Sequence, residues 1–501
     1  MSASASTPSN PAAGSNPSGG SNPGEGTNPP AGTNPPAGAN PPAGSDPTGG
    51  SNPPAGANPP AGSDPTGGTN PPASNPPASD PPASNPPASS QSQPSDLPAE
   101  QAAAAASFTD SVGVVTHLSY TDTAYYSNFP QILGSLQALG IRHVRDGYYP
   151  WAANDPVVLR HQEFAAAGIK TNYVVPFNTS TTPDSIAALA GAVQDMEALE
   201  ASNECDDPGN CGGDSATGVK NVVSFLPMLS TAAKNLNVPL YGPSFIDPSS
   251  YAAAGDLSNQ ITMNNLHVYF GGRNPGSMGW GDPDPKGNAY GSLDFWIDQG
   301  HLNAPDAPTV ITETGYLTYP STSTPYTIPE SVQASYVPRT LLLAFKHGIR
   351  RTYMYELLDE VSSPAYGLLR ADMTPRPGFT ALKNLMSILG DSATTPFTPS
   401  KMQFELSGGD SSLNHMLFQK QDGTYLLVMW LEQPSWDPAI AQPISVNAQN
   451  INLQLTSSNS ISAGYQFDTD GNAKSFTPSG SGDTSTFSVS DQLTILQISP
   501  K

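Results

Sequence analysis

The stretch FPQILGSLQALGIRHVRDGYYPWAANDPVVLRHQEFAAAGIKTNYVVPF spans residues 129–177. Ile132, Leu133, Leu136 and Leu139 recur at helical spacing, and the pattern stops at Gly140. A β-rich run over 141–148 follows at once. A second helical pattern (157–168) and a second β-rich run (170–177) then repeat the arrangement. Strands alternating with helices imply parallel pairing and right-handed crossovers.

The same alternation extends in both directions. Further β-rich runs lie at 112–118, 196–203, 239–245, 265–271, 309–314 and 351–358. Helical patterns separate or follow them at 217–236, 292–302, 331–347 and 378–389, with shorter ones near 183–190 and 251–260. Eight such units predict a (β/α)8 barrel over residues 107–392, the alternative being an open doubly wound sheet. No G-x-G-x-x-G follows the first run, so dinucleotide binding has no support.

The flanks differ from this body. Residues 1–100 hold 26 of the 55 prolines and no Lys, Arg, Phe, Tyr or Trp. They read as short units such as TNPPAG and SDPTGG, none with an apolar face to stack. Residues 1–106 are therefore expected to be a disordered Pro/Gly/Ser/Asn-rich linker, stiffened by Pro-Pro pairs, whose use is reach. Over 393–501 short alternating runs at 416–419, 425–430, 451–455, 486–489 and 494–498 are separated by turns such as Asp422-Gly423 and Asp470-Gly471. This predicts a β-sandwich. It would be a structural cap, or a carbohydrate-binding module using Trp430 or Trp436.

Net charge is −23, of which the first 100 residues carry −6. An acidic body repels phosphate backbones, which argues against nucleic acid. No run is long and apolar enough to span a membrane, and residues 1–30 lack the basic start and apolar core of a signal peptide. The only cysteines, Cys205 and Cys211, enclose the turn formers Asp206-Asp207-Pro208-Gly209-Asn210. Free thiols and a local disulfide both fit the spacing. The turn favours the disulfide, which implies an oxidising compartment.

A barrel presents its chemistry at the C-terminal strand ends. There the sequence places His117, Arg145, Asp146, the run Glu200-Ala-Ser-Asn203-Glu204, His267, Tyr269, Glu313, Tyr355, Glu356 and Asp359. Glu204 on the fourth strand and Glu313 on the seventh face each other across the mouth. Two facing carboxylates suit hydrolysis of a glycosidic bond, one protonating the leaving group and the other attacking or activating water. A separation of about 5–5.5 Å would indicate retention, and roughly 6.5–9.5 Å inversion. His117 or His267 could instead join these glutamates on a metal, although no H-x-H or H-E-x-x-H spacing is present.

These elements resemble the clan A retaining glycoside hydrolases, nearest to family 39-like bacterial enzymes. EASNE (200–204) is similar to their E-G-x-N-E element, and ALGIRHVRDG (138–147) to their second strand with its arginine. HVY (267–269) is similar to their sixth-strand His-x-Tyr. YELLDE with YGLLRADMTPRPGFTAL resembles the eighth strand and last helix. The resemblance implies Glu204 as general acid/base, Glu313 as nucleophile, and Asn203 on the sugar 2-hydroxyl. It also implies Arg145, His267 and Tyr269 around the carboxylates. Where many members have a tryptophan on strand eight and a histidine after strand three, this chain has Tyr355 and Phe177-Asn178.

His117, Trp280 and Tyr316 complete the expected substrate contacts, with Tyr148, Tyr149, Trp151 and Tyr319 as further aromatics near the mouth. The expected partner is a poly- or oligosaccharide. Neither cofactor nor metal is expected, the oligomeric state is expected to be monomeric, and the location secreted, periplasmic or cell-surface. A non-catalytic carbohydrate-binding barrel on a stalk and a metal-dependent hydrolase are the alternatives.

Overall fold

The barrel helices carry their own start and stop signals. Helix Phe129–Leu139 has Pro130 in its first turn, buries Ile132, Leu136 and Leu139, and ends on Gly140 in the left-handed conformation at φ 71°. Thr182 and Ser185 form a capping box on helix Pro183–Val193. Asp214 accepts from the Thr217 backbone N–H to cap helix Ser215–Leu236.

The structure, a computed structural model, describes residues 97–318, 326–360, 365–391 and 397–501. Within them, eight strands build one parallel sheet: β1 (Val112–Val115), β2 (His143–Gly147), β3 (Lys170–Val174), β4 (Met196–Glu200), β5 (Leu240–Tyr241), β6 (Asn264–His267), β7 (Thr309–Thr314) and β8 (Thr352–Met354). Their order is β5-β4-β3-β2-β1-β8-β7-β6. The two ends meet, because Tyr241 bridges Met263 and the Gly242 N–H donates to the Met263 carbonyl at 2.9 Å. The barrel is thus closed and all eight expected strands are present, but β4, β5, β6 and β8 end earlier than expected, so Asn203, Glu204, Tyr269 and Glu356 lie on the loops after them, and the helix expected near 251–260 is Pro248–Ala254. The open-sheet alternative is set aside.

Among the described residues, regular structure begins before the expected linker end at residue 106. Ala99–Gln101 pairs antiparallel with Lys401–Ser407, and Ala103–Ala104 pairs parallel with Leu413–Gln419. Helix Ala105–Asp110 then leads into β1. The Ala-rich run has no propensity signal for a strand, and partner strands recruit it. The repeats up to residue 96 lie outside the described residues, as do the 392/393 boundary and Tyr319.

The C-terminal region is two antiparallel-rich sheets face to face. One is ordered Ala99–Gln101, Lys401–Ser407, Gln449–Leu455, Thr484–Val489, Ser479–Ser481. The other runs Ala473–Phe476, Asn459–Phe467, Thr494–Pro500, Tyr425–Leu431, Leu413–Gln419, Ala103–Ala104. Met402, Leu427, Leu453, Phe487 and Ile498 fill the space between them. Trp430 is fully buried and its indole N–H donates to Glu432 at 2.7 Å, and Trp436 is buried as well. Neither is an open stacking face, which removes the basis for a sugar-binding role of these two residues.

The sandwich is bolted to the barrel by a buried ion pair. Arg339, on helix Glu330–Lys346, is fully buried and binds Glu432, with Nε 3.2 Å from Oε2. The same carboxylate accepts from Asn274 Nδ2 at 2.7 Å and the Gly276 N–H at 3.1 Å, both in the loop after β6. The close approach needs Gly276, where a Cβ would fall 2.3 Å from the Glu432 side chain. Among the described residues no helix is long and apolar enough to cross a membrane. Arg339→Ala leaves Glu432 buried without its cation, so the unfolding free energy from urea titration should fall by about 3–5 kcal/mol.

Candidate active site

The C-terminal ends of β2, β4, β6 and β7 bring together a buried charged cluster. Arg145 lies at its centre. Its Nη1 donates to Glu313 Oε1 at 2.6 Å, its Nη2 to Glu200 Oε1 and Asn203 Oδ1, both at 2.8 Å, and its Nε to Glu200 Oε2 at 3.0 Å. Asn172 donates to the other side of Glu200, and Thr312 Oγ1 lies 3.0 Å from it. Glu200, with no exposed surface, is thereby fully engaged as a buried counter-ion.

Glu313 also accepts from the Tyr269 hydroxyl at 2.8 Å. Tyr366 packs edge-on against Tyr269 at 5.7 Å and fixes its ring. Burial opposes the Glu313 anion. The charges of His267 and Arg145, with the hydrogen bonds from Tyr269 and Arg145, outweigh it and hold the carboxyl below its ordinary range.

Glu204 has the opposite balance. Burial pushes its carboxyl up, the nearby Glu313 adds to this, and His267 offsets only part. His267 Nδ1 lies 2.7 Å from Glu204 Oε1, and its Nε2 lies 3.1 Å from Thr312 Oγ1. A Glu204 oxygen, a Glu313 oxygen and a His267 nitrogen all fall within 4.8 Å of one another. These three atoms are also spaced to hold a cation, which would then sit beside the Arg145 guanidinium.

The backbone around Glu204 is tightly held. Its φ is 40°, in the left-handed region. Cys205 and Cys211 are joined by a disulfide, as the turn sequence predicts. The Asp207 N–H and Asn210 Nδ2 both donate to the Glu204 carbonyl, at 2.9 and 3.2 Å. Asp206 accepts from the Ile246 and Asp247 N–H groups, tying this loop to the one after β5.

Beside Glu313 opens a cleft of about 250 Å³, walled by Tyr120, Tyr149, Phe177, Asn203 and Asn210 among others. His117 and Tyr148 line it too. Of the expected site residues, Glu204, His267 and Tyr269 belong to the buried cluster and do not line this cleft, and Tyr316 and Trp280 are placed elsewhere. Tyr316 is buried, with its hydroxyl 3.3 Å from Thr340 Oγ1 and its ring against Phe270 and Tyr336. Trp280 is half-buried in the loop after β6, under the Arg273 guanidinium at 4.3 Å. Neither lines the cleft. Trp151 packs on Tyr149 at 5.3 Å. Tyr120 was not foreseen; its ring stacks on His117 at 4.7 Å.

His117 is turned away from both Glu204 and Glu313. Its Nε2 is 3.4 Å from Glu356 Oε2, beyond β8. Burial pushes the Glu356 carboxyl up to about 7, with His117 opposing.

No protein-family model and no curated protein matches the sequence. Among solved structures, a family 39 glycoside hydrolase from the gut symbiont Bacteroides cellulosilyticus is similar to this chain at TM-score 0.52 and 17% identity, over 78% of this chain and 81% of that one. A family 51 alpha-L-arabinofuranosidase from Bifidobacterium longum superposes at TM-score 0.49 and 11% identity, over 80% of this chain and 97% of that one. The first likeness establishes a shared fold.

The Glu204 environment yields a stability test. Helix Ser215–Leu236 starts against the Cys205 backbone, and a Cβ on Gly218 would fall 1.7 Å from the Cys205 carbonyl oxygen. Gly218→Ala should therefore cost about 1–3 kcal/mol through overpacking. Gly134→Ala, where nothing lies within 4 Å of the new Cβ, is the matched control in the same melting experiment.

Proposed function

We propose that this chain is a glycoside hydrolase that cleaves O-glycosidic bonds of a neutral poly- or oligosaccharide with retention. The observation that carries the reading is the pair of buried carboxylates, Glu204 and Glu313, with oxygens within 4.8 Å and protonation pushed in opposite directions. Oxygens this close leave less room for a water between the carboxylates than the roughly 6.5–9.5 Å of inverting enzymes does, which favours retention. The shared fold with a family 39 glycoside hydrolase supports it.

In the proposed mechanism Glu204, kept protonated by burial, gives its proton to the leaving-group oxygen. Glu313, kept ionised by Arg145, His267 and Tyr269, attacks the anomeric carbon and forms a glycosyl-enzyme. Glu204, now a base, takes a proton from water as that water displaces Glu313. Asn203, held by Arg145 at 2.8 Å, stands beside Glu313 and would meet the sugar 2-hydroxyl. The disulfide-closed loop supplies Asn210 to the cleft wall. A disulfide beside the site suits an enzyme working outside the reducing cytosol, so we read it as secreted or surface-held.

Activity on a polysaccharide and aryl-glycoside panel with product analysis tests the reading. Glu313→Gln should abolish turnover, and near-normal rates in that variant would refute the assignment. Glycan binding with no products after long incubation would support the binding-module alternative.

The pH profile follows from the two shifts. Activity should fall as pH drops through the depressed Glu313 value, where the nucleophile protonates. It should fall again as pH rises through the elevated Glu204 value, where the acid is lost. Glu204→Ala should slow substrates with poor leaving groups by about 10²–10⁴ and remove the alkaline limb.

A further inference from the structure

A second cluster of ligating side chains sits outside the glutamate pair. His117 follows β1, and Glu356 and Glu360 follow β8, the neighbouring strand. One nitrogen of His117 and one oxygen from each carboxylate lie within 4.8 Å of one another. Glu356 is 1% exposed. Its Oε2 faces His117 Nε2 at 3.4 Å, while its Oε1 is buried with no hydrogen-bond partner among the described residues. A buried carboxylate oxygen left in this way is a ligand position looking for a donor or a cation.

We propose that His117, Glu356 and Glu360 form a site for a divalent first-row cation at the edge of the cleft. The donor set argues for the class of ion. Two carboxylates balance a double charge and are ligands that manganese accepts, while the imidazole nitrogen suits zinc and disfavours calcium, which takes oxygen ligands.

The supporting contacts are already in place. The Tyr125 hydroxyl donates to Glu356 Oε2 at 3.2 Å and accepts from the Leu358 N–H at 2.9 Å, which fixes the carboxylate. Tyr120 stacks on the His117 ring with an interplanar angle of 7°, which fixes the imidazole. Outer contacts of this kind hold ligands in their binding orientation. The nearby carboxylates are committed elsewhere. Asp359 accepts from Arg376 at 2.6 Å, and Asp146 accepts from Thr116 and the Leu118 N–H. A cation here would tie the ends of β1 and β8 together behind the cleft wall that His117 forms. Its ligands are 239 residues apart in the chain, so no spacing motif announces it.

Calorimetric titration of the chelator-stripped full-length protein with zinc or manganese chloride tests the proposal. One saturable site is expected, together with a rise in melting temperature on loading. His117→Ala and Glu356→Gln should each weaken binding by more than the roughly 10–100-fold that losing an outer partner costs, and should lose the thermal shift. His267→Ala should keep both, since it removes a ligand only from the rival group of Glu204, His267 and Glu313. Binding that survives in His117→Ala and Glu356→Gln, or that is lost in His267→Ala alone, overturns the assignment. Absence of saturable binding by the unaltered protein overturns it whatever the variants do.

Discussion

One guanidinium holds the centre of this molecule. Arg145 stands inside the barrel with nearly all its surface buried, and it reaches partners at the ends of two other strands: Glu200 and Asn203 at β4, and Glu313 on β7. A single cation among several buried carboxylates cannot be removed without leaving them uncompensated. Its geometry also sorts the carboxylates. Glu200 and Glu313 touch it and share its charge, whereas Glu204 touches His267 instead. The opposite shifts of the two facing glutamates follow from burial, which raises Glu204, and from the His267 and Arg145 charges with the Tyr269 and Arg145 hydrogen bonds, which outweigh burial at Glu313.

The scaffold around this centre is rigid for reasons that lie some distance away. Glu204 sits in a left-handed backbone conformation, on a loop closed by a disulfide and pressed by the start of a long helix. The loop after β6 continues from the strand bearing His267, and Glu432 of the sandwich clamps it through Asn274 and Gly276. The sandwich therefore acts as part of the wall's support. Its tryptophans face inward and serve packing and the Glu432 hydrogen bond.

The barrel was legible because each strand is a short β-rich run bounded by a helix pattern with its own punctuation, Gly140 being the clearest. The pair Glu204 and Glu313 was legible once the strands were numbered, since barrel geometry alone puts the fourth and seventh strand ends in opposition. Tyr316 was not legible. An aromatic two residues past the end of a strand has the same sequence appearance whether it turns into the cleft or, as here, onto Phe270 and Tyr336. A closed barrel makes β1 and β8 neighbours, but which of their several polar side chains meet depends on loop conformation, so the partnership of His117 with Glu356 was equally hidden. Residues 99–104 looked like spacer, since nothing in an alanine run distinguishes a strand until its partners are known.

Those two short strands carry a further consequence. Ala99–Gln101 forms the rim of one sandwich sheet, and Ala103–Ala104 the rim of the other. Each covers backbone groups of the strand next to it, Lys401–Ser407 and Leu413–Gln419 respectively. The chain passes through the sandwich before it enters the barrel and returns to the sandwich at its end. A protein shortened to begin at residue 107 would keep every barrel strand and yet leave two unpaired sheet edges on the opposite side of the sequence, open to pairing between molecules. Solubility is therefore governed in part by a segment that belongs, by composition, to the linker.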